Sequence, residues 1–162
     1  MRAFNKYGAG DFTSAVTVQT SQAPGQPAAP VLQVVGGYVK ISWTEPFPNY
    51  RPVLGYQILI ETSTTGDFIE RKALCDGGAQ AAVRYCLVDM HALRIAPFSL
   101  AYNTLVRAKV LARNERGWSI ASDPNTAGAQ VEVEPLAVPA PTRGSATGPT
   151  QLEVNWSSLT TP

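Results

Sequence analysis

Short runs of alternating apolar and polar residues dominate the chain. In YVKISWT, residues 38–44, Val39, Ile41 and Trp43 fall on one face and Tyr38, Lys40, Ser42 and Thr44 on the other. GYQILIE, 55–61, sets Tyr56, Ile58 and Ile60 against Gln57 and Glu61. VRAKVLARN, 106–114, sets Val106, Ala108, Val110 and Ala112 against Arg107, Lys109 and Arg113. A period of two with one polar face predicts antiparallel strands that cover a core on one side. Further strands are expected at 31–35, 68–74, 82–88 and 119–133. Turn signals separate them: Glu45-Pro46-Phe47-Pro48-Asn49, Thr65-Gly66-Asp67, Asp76-Gly77-Gly78 and Glu115-Arg116-Gly117. VDMHALRIAPF, 88–98, breaks the pattern: helix formers without alternation predict a short helical turn before the sixth strand. Seven short strands in about 110 residues predict an all-β sandwich of two antiparallel sheets.

The pattern also repeats. Ala3-Phe4-Asn5-Lys6-Tyr7-Gly8 lies over Ala112-Arg113-Asn114-Glu115-Arg116-Gly117, with Asn5 and Asn114 separated by 109 residues. Pro30 and Pro141 are 111 apart, and Trp43 and Trp156 are 113 apart. Two independent anchors agree on a unit of about 110 residues. The chain therefore reads as the end of one unit (1–26), a whole unit (27–138) and the start of a third (139–162). It is expected to be a window on a longer tandem array, in which Met1 need not be a biological start.

The order Pro30…Trp43-x-x-Pro46…Gly55-Tyr56-x-Ile58…Val110-x-Ala112-x-Asn114-x-x-Gly117…Ser122 resembles the fibronectin type III module. The resemblance spans the central unit and both flanking fragments. It implies a seven-stranded antiparallel immunoglobulin-like sandwich, with Trp43 on the second strand and Asn114 in the loop after the sixth. Two departures stand out. The family usually carries a tyrosine eight residues before this asparagine, and here that place is Val106, so the tyrosine corner is missing. Members commonly lack cysteine, yet Cys75 and Cys86 bracket DGGAQAAVRY. Cys75 is expected to end the fourth strand and Cys86 to lie in the fifth. A bond between them would staple the crossover between sheets and contribute about 3 kcal/mol in the chain-entropy model. The alternative is a pair of free, partly buried thiols, as in a reducing compartment. The pair resembles cysteine-bearing repeats of large surface or secreted proteins of single-celled eukaryotes.

Composition narrows the function. A net charge of +1 offers no field for nucleic acid or an anionic membrane. No run of 18 apolar residues is present, so no membrane insertion is expected within this window. Two cysteines and one histidine, His91, do not make a standard four-ligand metal site, and no cofactor is expected. Gly8-Ala9-Gly10 lacks the third glycine of a dinucleotide loop. Gly144-Ser145-Ala146-Thr147-Gly148 reads as a turn rather than a nucleophile elbow. His91 reads as a surface or capping residue, and Glu132 and Glu134 as solvated. No catalytic residue is assigned.

Binding is the remaining chemistry. The loop PFPNYRP offers Phe47, Tyr50 and Arg51, and RNERGW offers Arg113, Arg116 and Trp118. The resemblance places both loops at one end of the sandwich. Aromatics with arginines on adjacent loops make a candidate contact patch. The competing expectation, which we favour, packs these aromatics against the connector 24–30 or the preceding unit. The Pro-rich segments 22–30 and 134–142 predict semi-rigid spacers. Residues 30–138 hold ten Lys/Arg and ten Asp/Glu, a net of zero that suits a spacer. Asn155-Trp156-Ser157 is an N-glycosylation pattern, with Asn155 facing outward if Trp156 faces a core. The expected function is a structural spacer and protein-interaction segment of a large extracellular or cell-surface protein, contacting neighbouring modules and other proteins. The alternatives are an intracellular cytoskeletal or ciliary scaffold with free thiols, or an accessory module of a secreted enzyme.

Overall fold

The computed structural model describes residues 1–158 except Gln19, Thr65, 79–80 and 135–137. Two of the expected turns and connectors, around Thr65 and at 134–142, therefore lie partly outside the described residues. The elements in chain order are β1 (Phe4–Asn5), β2 (Gly8–Ala9), β3 (Val31–Val35), β4 (Tyr38–Ser42), β5 (Gly55–Glu61), β6 (Phe68–Glu70) and β7 (Tyr85–Asp89). They continue with α1 (Met90–Arg94), β8 (Ala108–Asn114), β9 (Gly117–Trp118), β10 (Thr142–Arg143) and β11 (Val154–Asn155). The central unit has two antiparallel sheets, one ordered β3-β4-β7 and the other β6-β5-β8-β9. This is the fibronectin/immunoglobulin-like fold.

Alternation builds the core. Leu32 pairs with Ile41 and Ile41 with Cys86, and Val34 pairs with Val39 and Val39 with Val88, all on one inward face. On the facing sheet, Tyr56 lies opposite Ala112, Ile58 opposite Val110 and Ile60 opposite Ala108. Large side chains sit across from small ones, so the layer fills without overpacking. Trp43, Leu93, Phe98 and Val131 close the core at its margins. The helical turn expected in 88–98 is α1, with the Asp89 side chain accepting from the His91 N–H at 2.7 Å.

Three expected strands differ. β8 begins at Ala108 because Val106 N–H is drawn to Ala129 O at 2.9 Å instead of continuing the ladder. β6 ends at Glu70, since Leu74 and Cys75 N–H both turn back to Arg71 O. Cys75 thus lies in the segment after the strand rather than at its end. The strand expected over 119–133 is replaced by a ladder of side chains. Ser119 Oγ, Ser122 Oγ and Asn125 Oδ1 accept from the N–H groups of Ala112, Val110 and Ala108 at 3.0, 2.9 and 2.8 Å. The acceptors recur every third residue, while the donors recur every second. Asn125 is buried and also donates to Val106 O and Ala127 O. Asn125→Ala is expected to cost about 2 kcal/mol, because it strands a buried N–H and a buried carbonyl. Urea unfolding checks this, and a loss below about 0.5 kcal/mol would show that other groups satisfy β8.

Hydrogen bonds recur with the sequence repeat. Phe4 pairs with Ala9 and Asn5 with Gly8, as Arg113 pairs with Trp118 and Asn114 with Gly117. Asn5 Oδ1 accepts from Tyr7 N–H and Asn114 Oδ1 from Arg116 N–H, both at 2.8 Å. The turns close on Gly8 and Gly117, with φ of 138° and 132°, a region that favours glycine. Gly10 N–H donates to Ala3 O as Ser119 N–H does to Ala112 O, and Thr13 N–H to Met1 O as Ser122 N–H does to Val110 O. Thr13 Oγ1 accepts from Met1 N at 3.0 Å, where Ser122 Oγ accepts from Val110 N–H. At the other end, Thr142 pairs with Asn155 and Arg143 with Val154, the counterparts of Val31 with Ser42 and Leu32 with Ile41.

Candidate functional site

The loop between β4 and β5 is rich in proline, and Asn49 and Tyr50 take positive φ values of 51° and 62° there. This tight course projects side chains outward. The Phe47 and Tyr50 rings meet edge to face at 5.9 Å and are 62% and 60% exposed. Arg51 reaches Glu115 of the β8–β9 turn at 3.6 Å, a surface pair contributing under about 1 kcal/mol. Arg113 stacks over Trp118 at 5.6 Å. The contacts thus join Phe47 to Tyr50 and Arg113 to Trp118, while Arg116 turns to the connector.

That connector, 21–30, is docked. Arg116 Nε donates to Ser21 Oγ at 2.8 Å. Asn114 Nδ2 donates to Gln22 O at 2.8 Å and to Pro48 O at 3.1 Å. Asn49 Nδ2 donates to Ala23 O, Gly25 N–H to Phe47 O at 2.9 Å, and Gln26 Nε2 to Ala121 O at 2.8 Å. Pro24, Pro27 and Pro30 are buried. The expectation that the aromatics pack on the connector is therefore corrected. The loop backbone and two asparagines hold it, and the Phe47 and Tyr50 rings stay in solvent. Asn49 and Ser21 escaped the sequence reading. The recurrence of Asn5 at Asn114 pointed to the turn they share, not to this grip.

The other sequence-derived sites are separate. Cys75 and Cys86 are bonded, with Cα atoms 5.5 Å apart, joining the segment after β6 to β7. Beyond Cys75, Gly77 O accepts from Tyr56 N–H, and a Cβ on Gly77 would fall 2.3 Å from Ile58 Cδ1. Asn155 is exposed on β11, and so is the Trp156 side chain beside it. His91 is exposed on α1, along a groove of about 470 Å³ lined by Gly36, Tyr38, Arg94 and Glu134. The Arg94 guanidinium bonds Glu134 and holds its carboxyl below the usual range. Among the described residues, no helix is long and apolar enough to cross a membrane, and no cluster of His, Cys, Asp or Glu is placed to hold a metal.

Tyr56 supplies a pH signature. Its hydroxyl is buried without a hydrogen-bond partner among the described residues. Burial pushes its phenol above the ordinary value of 10.0, and nearby Arg84 opposes this in part. The neutral phenol is thus favoured by folding, so its contribution is complete below pH 10 and falls as pH rises beyond it. The urea midpoint is expected to drop between pH 9 and about 11, and Tyr56→Phe to flatten that drop. An unchanged slope in the variant would assign the effect elsewhere.

The fold and loop end place the chain among fibronectin/immunoglobulin-like domains. The FN1–FN3 domains of chicken CNTN1 are similar at 19% identity and a TM-score of 0.50, over 83% of this chain and 42% of that one. The titin kinase and its flanking domains are similar at 16% identity and a TM-score of 0.49, over 70% of this chain and 18% of that one. The chain therefore spans less than half the length of either, and at these identities the likeness concerns the fold. No family model and no curated protein sequence matches the chain.

Proposed function

We propose that the chain is a stretch of tandem fibronectin type III repeats acting as a non-catalytic spacer and protein-interaction segment of a large extracellular or cell-surface protein. The observation that carries this reading is the recurrence of one hydrogen-bond set, around Asn5 and again around Asn114, 109 residues apart. The matching registers of β3–β4 and β10–β11 support it from the other side. Both flanking fragments expose large apolar side chains, among them Phe4, Phe12, Val154 and Trp156, as pieces of units would. The Cys75–Cys86 bond and the Asn155 acceptor pattern favour an oxidising, glycosylating route. Phe47 with Tyr50 and Arg51, and Trp118 with Arg113, are the surfaces offered to neighbouring modules and other proteins.

The thiol state tests the address. Protein from its native source is denatured without reductant, alkylated and weighed. An unalkylated chain, two hydrogens lighter than the reduced form, upholds the extracellular reading. Two blocked thiols would transfer the segment to an intracellular scaffold.

A further inference from the structure

We infer that the cleft between the β4–β5 loop and the β8–β9 turn is a built seat for a proline-rich extended segment, and that its occupant is the chain's own connector, leaving no free residue between consecutive repeats. The first half stands on geometry alone; the second rests on the tandem reading above.

A polyproline-type strand turns once every three residues and makes no internal hydrogen bonds. Pro24, Pro27 and Pro30 keep that spacing, and all three are buried. One edge of the connector therefore faces the central unit. Its backbone groups need outside partners, and the seat supplies them in order: Asn114 for Gln22 O, Asn49 for Ala23 O, and Phe47 O for Gly25 N–H. Asn114 is 2% exposed, with Nδ2 and Oδ1 both engaged. Its amide ties connector, loop and turn into one body.

The repeat then fixes the joint. In the central unit, the closing segment is tied down as far as Val131, which donates to Thr104 O and accepts from Asn103 N–H. Its counterpart 109 residues earlier is Gln22. The carbonyl of Gln22 is also the one that Asn114 grips. The residue that ends one repeat is thus the residue by which the next repeat holds it. Such units are joined as a strut, with no spacer to bend.

Amide exchange on the full 162-residue chain tests this. The Gly25 amide is expected to exchange at least about 100-fold more slowly than in an unstructured chain. Asn114→Ala is expected to speed it by about tenfold. Asn49→Gly, which suits the positive φ at that position, does the same while leaving the Ile58 amide protected, and so separates release of the connector from unfolding. A freely exchanging Gly25 beside a protected Ile58 overturns the seat and leaves the tandem reading, which rests on the hairpins, standing. A protected Gly25 that ignores Asn49→Gly overturns it as well. A parent chain without the recurring Asn and Trp at intervals of about 110 would remove the joint and leave the seat.

Discussion

Trp43→Ala is expected to lower stability by about 3–5 kcal/mol, whereas Trp156→Ala changes it by less than about 0.5 kcal/mol. The two tryptophans occupy the same place in the repeat. Trp43 is 6% exposed and lies against Tyr56, ring centroids 5.5 Å apart, so truncation leaves a cavity between two sheets. Trp156 is 74% exposed and loses little when cut back. Trp43→Phe adds a control. The indole Nε1 is buried without a partner among the described residues, so phenylalanine keeps much of the volume and removes an unsatisfied donor. It is expected to cost less than alanine. Urea denaturation of the three variants measures all of this. Equal losses for Trp43→Ala and Trp156→Ala would refute the placement of a single core in the central unit.

Replacing both cysteines by alanine is the second large effect, expected at about 3 kcal/mol. The bond spans 11 residues of sequence, a short ring, and its main action is to restrict the unfolded chain. It also joins the two sheets where the connection is otherwise thin: β6 has only three residues, and Tyr56–Gly77 is a single backbone contact. Cys75 is buried in the core cluster, so its loss opens a small void as well. Adding reductant to the wild-type protein during urea unfolding should reproduce the shift in midpoint. A midpoint indifferent to reductant would show that the ring is held by its neighbours without the bond.

The strands that were legible in the sequence are those in which local alternation and packing agree. β3 and β5 match their expected limits because glycine or proline bounds them and every second residue enters the core. The segment after β9 was misread because SIASDPN has no period of two. Its information lies in Ser119-x-x-Ser122-x-x-Asn125, a period of three that β-strand reasoning passes over. The end of β6 was misplaced because Arg71–Leu74 form a turn with no glycine or proline to announce it. The contact patch was partly legible. Composition named Phe47, Tyr50 and Trp118, but the grip of Asn114 on Gln22 and Pro48 joins residues 92 and 66 positions apart, which no local pattern encodes.

The side-chain ladder along β8 has a consequence for how such a chain survives its own repetition. Like units strung together hold similar sheet edges at high local concentration, the condition under which neighbouring domains misassemble during folding. A regular outer strand would present evenly spaced N–H and C=O groups as a template for the next unit. Residues 119–125 contact β8 through hydroxyl and amide groups every third residue, so their backbone follows a different rhythm from a strand. A foreign strand laid against them would fall out of step within a few residues. The chain closes its sheet with a segment that resists being copied.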